Sequence, residues 1–159
     1  MRVAKIYILY SLFYNYIIDG IMGKMFSSAI SSLDEFLNSE VFDMAAKTGS
    51  VAYSTRVDRT QINNLLEIFF SEADPVRAAS LLLVHITRQI SRGEISRSAG
   101  ALLLQDIKKI ISSFKGEELR EAMTYYLTLV KWVFESRIHN AQDFESFVQN
   151  AVNFYSRRR

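Results

Sequence analysis

Arg88, Arg92 and Arg97 bracket a single glycine in the stretch HITRQISRGEISRSAG, residues 85 to 100. Four residues separate Arg88 from Arg92, so on a helix that ends before Gly93 the two side chains leave one face, a turn apart. Guanidinium forks at that spacing suit phosphate oxygens, and Ser91, Ser96 and Ser98 add hydroxyl donors beside them. Ser96 is fit to cap the next helix, which places Arg97 where an acid would complement the dipole and where free amides point outward. Lys108 and Lys109 extend the positive zone, with Arg56 and Arg59 as weaker candidates for the same role. Helix-end chemistry alone accounts equally well for Arg88 and Arg92, because cations complement a C-terminus.

Catalytic chemistry has no comparable constellation. His85 and His139 are the two histidines, neither has a partner at the spacing of a zinc helix, and there is no cysteine to supply a thiolate or a disulfide. His85 reads as a satisfied core histidine and His139 as a loop residue facing water. The six glycines form no phosphate loop, and no serine lies in a nucleophile elbow. Acid pairs such as Asp34 with Glu35, or Glu117 with Glu118, splay apart on a helix. Trp132, Tyr125 and Tyr126 could stack bases, but core packing is the expectation for all three. The chain is therefore expected to be no enzyme, with no cofactor, no metal and no small-molecule substrate.

One proline and six glycines in 159 residues leave little turn chemistry, and the apolar residues recur at intervals of three and four. The expectation is an all-α fold, a compact bundle of six or seven helices in a single domain over residues 1–159. The apolar run VAKIYILYSLFYNYII ends in Asp19-Gly20-Ile21-Met22 and is too short and too rich in tyrosine for a membrane span. Residues 1–21 are expected to form a docked peripheral helix or an N-terminal extension, with a monotopic anchor as the remaining reading. An amphipathic helix follows from Lys24 to about Met44, with Ile30, Leu33, Phe36, Leu37, Val41 and Met44 inward. AAKTGSVAYSTRVD, residues 45 to 58, is expected to be the longest and most mobile loop. Asp58 then caps a helix presenting Ile62, Leu65, Leu66, Phe69 and Phe70. Asp74 and Pro75 start, and Gly93 stops, a helix whose LLLV centre suggests a central position. Two further helices place Leu103, Ile107 and Ile110, then Leu119, Met123, Tyr126 and Val130, inward. The last places Phe144, Phe147, Val148, Ala151 and Phe154 inward.

The charge is uneven although the net is only +2. Residues 26 to 75 carry three basic groups and eight acidic ones, whereas residues 87 to 115 carry six basic groups and two acidic ones. Such polarity could steer an anion, or bring the basic face of one copy to the acidic face of another.

RTQINNLLEIF (59 to 69), a central apolar helix ending in arginine, and LREAMTYYLTLVKWVFESR (119 to 137) together resemble the small helical subunit of type III CRISPR effector complexes, the Csm type above all. Thr60, Gln61 and Ile62 match the family's helix opening, while Asn63 stands where it usually has a basic residue. The resemblance spans about residues 58 to 137, and other CRISPR small subunits are similarly helical. It implies a non-catalytic, cytoplasmic protein of antiviral defense. It would stack in copies along the inner filament beside other effector subunits and contact guide and target RNA backbone without reading sequence. The RNA contacts would then be Arg88, Arg92, Arg97, Lys108 and Lys109, with Arg56 and Arg59 behind them. Without the resemblance, the residues fit a helical protein-interaction adaptor equally well, and a membrane-associated helical protein less well.

Overall fold

The computed structural model describes residues 32–157. The apolar run at residues 1–21 and Ile30 lie outside the described residues. A four-residue helix, α1 (Ser32–Glu35), passes through a π-helical turn (Phe36–Glu40) directly into α2 (Val41–Ser54). There follow α3 (Arg59–Phe70), α4 (Pro75–Ser91), α5 (Arg97–Ser113), α6 (Gly116–Ser136) and α7 (Phe144–Ser156). No strand occurs among the described residues, and the expectation of an all-α bundle is met.

Local chemistry sets the starts. Asp58 Oδ1 accepts from the Thr60 amide at 2.7 Å, Asp74 Oδ1 from the Arg77 amide at 2.8 Å, and Ser96 Oγ from the Ala99 amide at 3.2 Å. Asp143 and Ser146 form a reciprocal capping box on α7. After α4 the chain turns at Gly93, whose φ of 75° costs a glycine little.

Cross-helix contacts fix the directions. Phe42 packs on Tyr125 and Tyr53 on Phe134, so α2 and α6 are parallel. Thr48 reaches Asp106 and Thr55 reaches Ser96, so α5 runs against α2. The Phe144 amide donates to Asp43 Oδ1 and the Tyr155 hydroxyl to the Ser136 carbonyl, so α7 runs with α2 and α6. Between α6 and α7 the linker 137–143 must return along α2. Ser50 fastens it there: its Oγ donates to the Ile138 carbonyl at 3.0 Å and accepts from the Ala141 amide at 2.9 Å, all buried.

The expected loop at residues 45–58 is helix as far as Ser54, and it lies at the centre of the bundle. Its small polar residues are tertiary contacts and not turn signals. Thr48 and Ser50 are buried and bonded, and Gly49 lies so close to α6 that an added Cβ would fall 2.7 Å from the Val130 carbonyl oxygen. In consequence α2 packs most extensively against α6 and also meets α5 and α7. The LLLV helix is not central. α4 buries Leu82 and Ile86 fully but leaves Leu81 and Val84 exposed. Phe70, expected inward on α3, is exposed, as are Trp132 and Tyr125, whereas Tyr126 is fully buried. α7 departs furthest from expectation, because none of its residues is buried.

One polar knot lies inside this core. The hydroxyls of Thr48 and Tyr126 donate to the same Asp106 carboxylate oxygen, at 2.6 and 2.7 Å, tying α2, α5 and α6 together. Burial holds the Asp106 carboxyl above its ordinary range against the pull of those bonds and of Lys109 and Lys47. Burial and the neighbouring carboxylate push the Tyr126 hydroxyl far above its own.

Candidate functional site

α2, α4, α6 and α7 end where α3 and α5 begin, so one end of the bundle collects four helix C-termini and two N-termini. The four C-termini share a short sequence: Thr55-Arg56, Ser91-Arg92, Ser136-Arg137 and Ser156-Arg157. Each arginine sits where the negative end of a dipole favours a cation. Arg56 and Arg137 hold φ near 60°, in positions after a helix that glycine usually occupies.

Arg59 and Arg97 are the opposite case. Each is the first residue of a helix, where a cation opposes the dipole. Glu135 offsets Arg59 through an exposed ion pair at 2.8 Å. Arg97 is exposed and has no carboxylate partner among the described residues. Arg92 makes only a long contact of 3.9 Å with Glu94, and Arg88 is exposed with no ion pair among the described residues.

Within one turn of these helix ends, and in the linkers between them, lie seven arginines (56, 59, 88, 92, 97, 137 and 157) and three acids (Asp58, Glu94 and Glu135). By the same measure the opposite end carries Asp43, Glu67, Glu72, Asp74, Glu117, Glu118, Asp143 and Glu145 against Arg77 and Lys115. The polarity therefore runs along the bundle axis and does not follow the two sequence stretches. A 14-residue helix separates the ends by about 20 Å. That exceeds the ~8 Å Debye length at physiological salt, so an anion at the arginine end is little repelled by the acids at the other.

The structure thus brings Arg56, Arg59, Arg88, Arg92 and Arg97 to one end and parts them from Lys108 and Lys109. Lys108 lies about 16 Å along α5 from Arg97, and Lys109 is held by Glu40 near the acidic end. Arg137 and Arg157 join the cluster without having been singled out in sequence. The repeated Ser-Arg or Thr-Arg at helix ends was the available signal. Asn63, one turn after Arg59 on α3, is half-buried, and its Oδ1 has no hydrogen-bond partner among the described residues.

The histidines serve neighbours. His139 is an exposed loop residue, as expected, and in addition its Nδ1 lies 3.0 Å from Ser54 Oγ and its ring packs on Tyr53. His85 is half-buried, and burial together with Arg88 lowers its pKa and favours the neutral ring. Among the described residues no group of His, Asp and Glu side chains is placed to hold a metal ion, and no helix is long and apolar enough to cross a membrane.

No family model, curated protein or solved structure matches this chain.

Proposed function

We propose that this chain is a non-catalytic helical subunit of a ribonucleoprotein, of the type III CRISPR small-subunit kind, whose arginine end contacts RNA backbone phosphates without reading base sequence. The observation that carries this reading is the gathering of seven arginines at one end, two of them at helix N-termini where the fold alone favours acids. Phosphate contact supplies a reason for Arg97 that helix stability does not. The resemblance of residues 59–69 and 119–137 to that family supports the same assignment. Axial polarity suits head-to-tail stacking, with the arginine end of one copy facing the acidic end of the next and RNA phosphates running beside the junction. Other effector subunits would supply the nuclease chemistry.

The test is RNA binding by fluorescence anisotropy across a salt series. Phosphate contacts release counterions, so log affinity should fall linearly with log salt, by about 0.7 per contact on a single strand. Unrelated RNA sequences of equal length should bind alike. A flat salt response would rule the reading out.

The adaptor reading has its own support in an exposed apolar groove on another side of the bundle. Trp132 is 62% exposed and borders a cavity of about 160 Å³ with Phe42, Leu129, Phe144 and Phe147. Exposed apolar patches of this kind mark protein contacts.

A further inference from the structure

α7 is a 13-residue helix without one buried residue. Isolated helices of that length are marginal in water, so caps and half-buried contacts leave it short of support. Its apolar residues do not all face the bundle. Phe144, Val148 and Tyr155 are 41, 43 and 57% exposed. With half-buried Ala151 they fall at spacings of four, three and four, the seam pattern of paired helices, and Val152 at 54% exposure flanks them. The line runs for about 16 Å, and its first residue borders the Trp132 groove.

We propose that a second copy of this chain covers this seam, with the two α7 helices packed antiparallel about a twofold axis. Charge selects that occupant and that direction. The start of α7 carries Asp143 and Glu145, and its end carries Arg157; neither Glu145 nor Arg157 has an ion-pair partner among the described residues. Antiparallel pairing sets Phe144 of each copy against Tyr155 of the other, Val148 against Ala151, and Arg157 over the Asp143–Glu145 end. Because α7 is parallel to the bundle axis, the same arrangement lays the arginine end of each molecule beside the acidic end of its mate. A parallel pair would place like ends together. The contact is lateral and closed, and so leaves the axial surfaces open.

Sedimentation of the full chain without RNA tests this over a concentration series. The expected result is a reversible dimer of twice the 18.3 kDa chain mass that does not grow further. A single-helix seam buries less than the ~800 Å² per partner of a standard interface, so the dimer should dissociate on dilution. Emission from Trp132, the sole tryptophan, should shift to shorter wavelength as the dimer forms. Val148→Glu should abolish the dimer while helical circular dichroism is retained. Glu145→Arg and Arg157→Glu should each weaken it, and the double swap should restore it, which non-specific stickiness would not do. A chain monomeric at every concentration, growth beyond the dimer, or a dimer indifferent to Val148→Glu would overturn the proposal. So would capture of a different protein on this seam by a chain that does not self-associate. No RNA enters these readings, so their failure is separate from failure of the RNA assignment.

Discussion

Thr55 Oγ1 lies 2.7 Å from Ser96 Oγ, joining the end of α2 to the cap of α5 across 41 residues of sequence. Ser96 Oγ also accepts from the Ala99 amide, so one hydroxyl both starts α5 and anchors it to the central helix. Arg56 and Arg97 each follow one of the bonded pair, and the contact is what makes them neighbours on one rim.

That rim should show in binding. Arg88→Ala with Arg92→Ala, and separately Arg97→Ala, are expected to weaken RNA binding equally for all sequences and to reduce the salt slope by about 0.7 per lost contact. Lys108→Ala, on the far part of α5, should change neither. The check is anisotropy at several salt concentrations. Equal losses for Lys108 and Arg97 would mean that affinity tracks total charge and not the arginine end.

Ser50 should be among the costlier polar positions. Ser50→Ala removes the donor to the Ile138 carbonyl and the acceptor of the Ala141 amide, both buried. A buried polar group left without a partner costs about 1–3 kcal/mol, so a loss of at least that size is expected in urea unfolding at unchanged m-value. Limited proteolysis should cut earlier within residues 137–143. Unchanged cleavage with lowered stability would show that the linker has other fastenings.

Asp106 gives a pH dependence of definite sign. Its folded-state pKa is raised, chiefly by burial, so its contribution to stability is complete below the unfolded value of about 3.9 and is lost as pH rises through the folded value. Asp106→Asn keeps an acceptor for Thr48 and Tyr126 and carries no charge. It is expected to be more stable than the parent at neutral pH and to flatten the acidic part of the profile. Asp106→Ala strands the buried Tyr126 hydroxyl and should lose about 1–3 kcal/mol. Urea midpoints from acid to neutral pH separate these outcomes.

Two buried glycines should respond differently to alanine. At Gly49 the new Cβ meets the Val130 carbonyl oxygen at 2.7 Å and Val133 Cβ at 2.8 Å, and helix backbone cannot yield cheaply. Gly49→Ala should therefore lose about 1–3 kcal/mol despite better helix propensity. At Gly100 the obstacle is the outer part of the Ile90 side chain, which can change rotamer. A smaller loss is expected there, and thermal melts of the two variants side by side decide it.

What sequence determined here was local. Asp58, Asp74 with Pro75, and Ser96 are helix starts because capping depends on amides two or three residues away. The apolar stripes of α5 and α6 are legible because a helix repeats every 3.6 residues. The Arg88–Gly93–Arg97 turn follows from the same rules. Tertiary structure decided the rest. AAKTGSVAYS is indistinguishable from a loop until Thr48 finds Asp106, Ser50 finds the linker and Gly49 finds α6, partners 58 or more residues away. The inward set on α7 held only in part, with Phe147, Ala151 and Phe154 half-buried and Phe144 and Val148 exposed, for a related reason: periodicity identifies an apolar stripe, but only packing decides which surface lies over it. Sequence likewise offered seven arginines scattered over about a hundred residues. The up-and-down order of the helices, set by which faces bury against which, placed them at one end and left the lysines of α5 near the other.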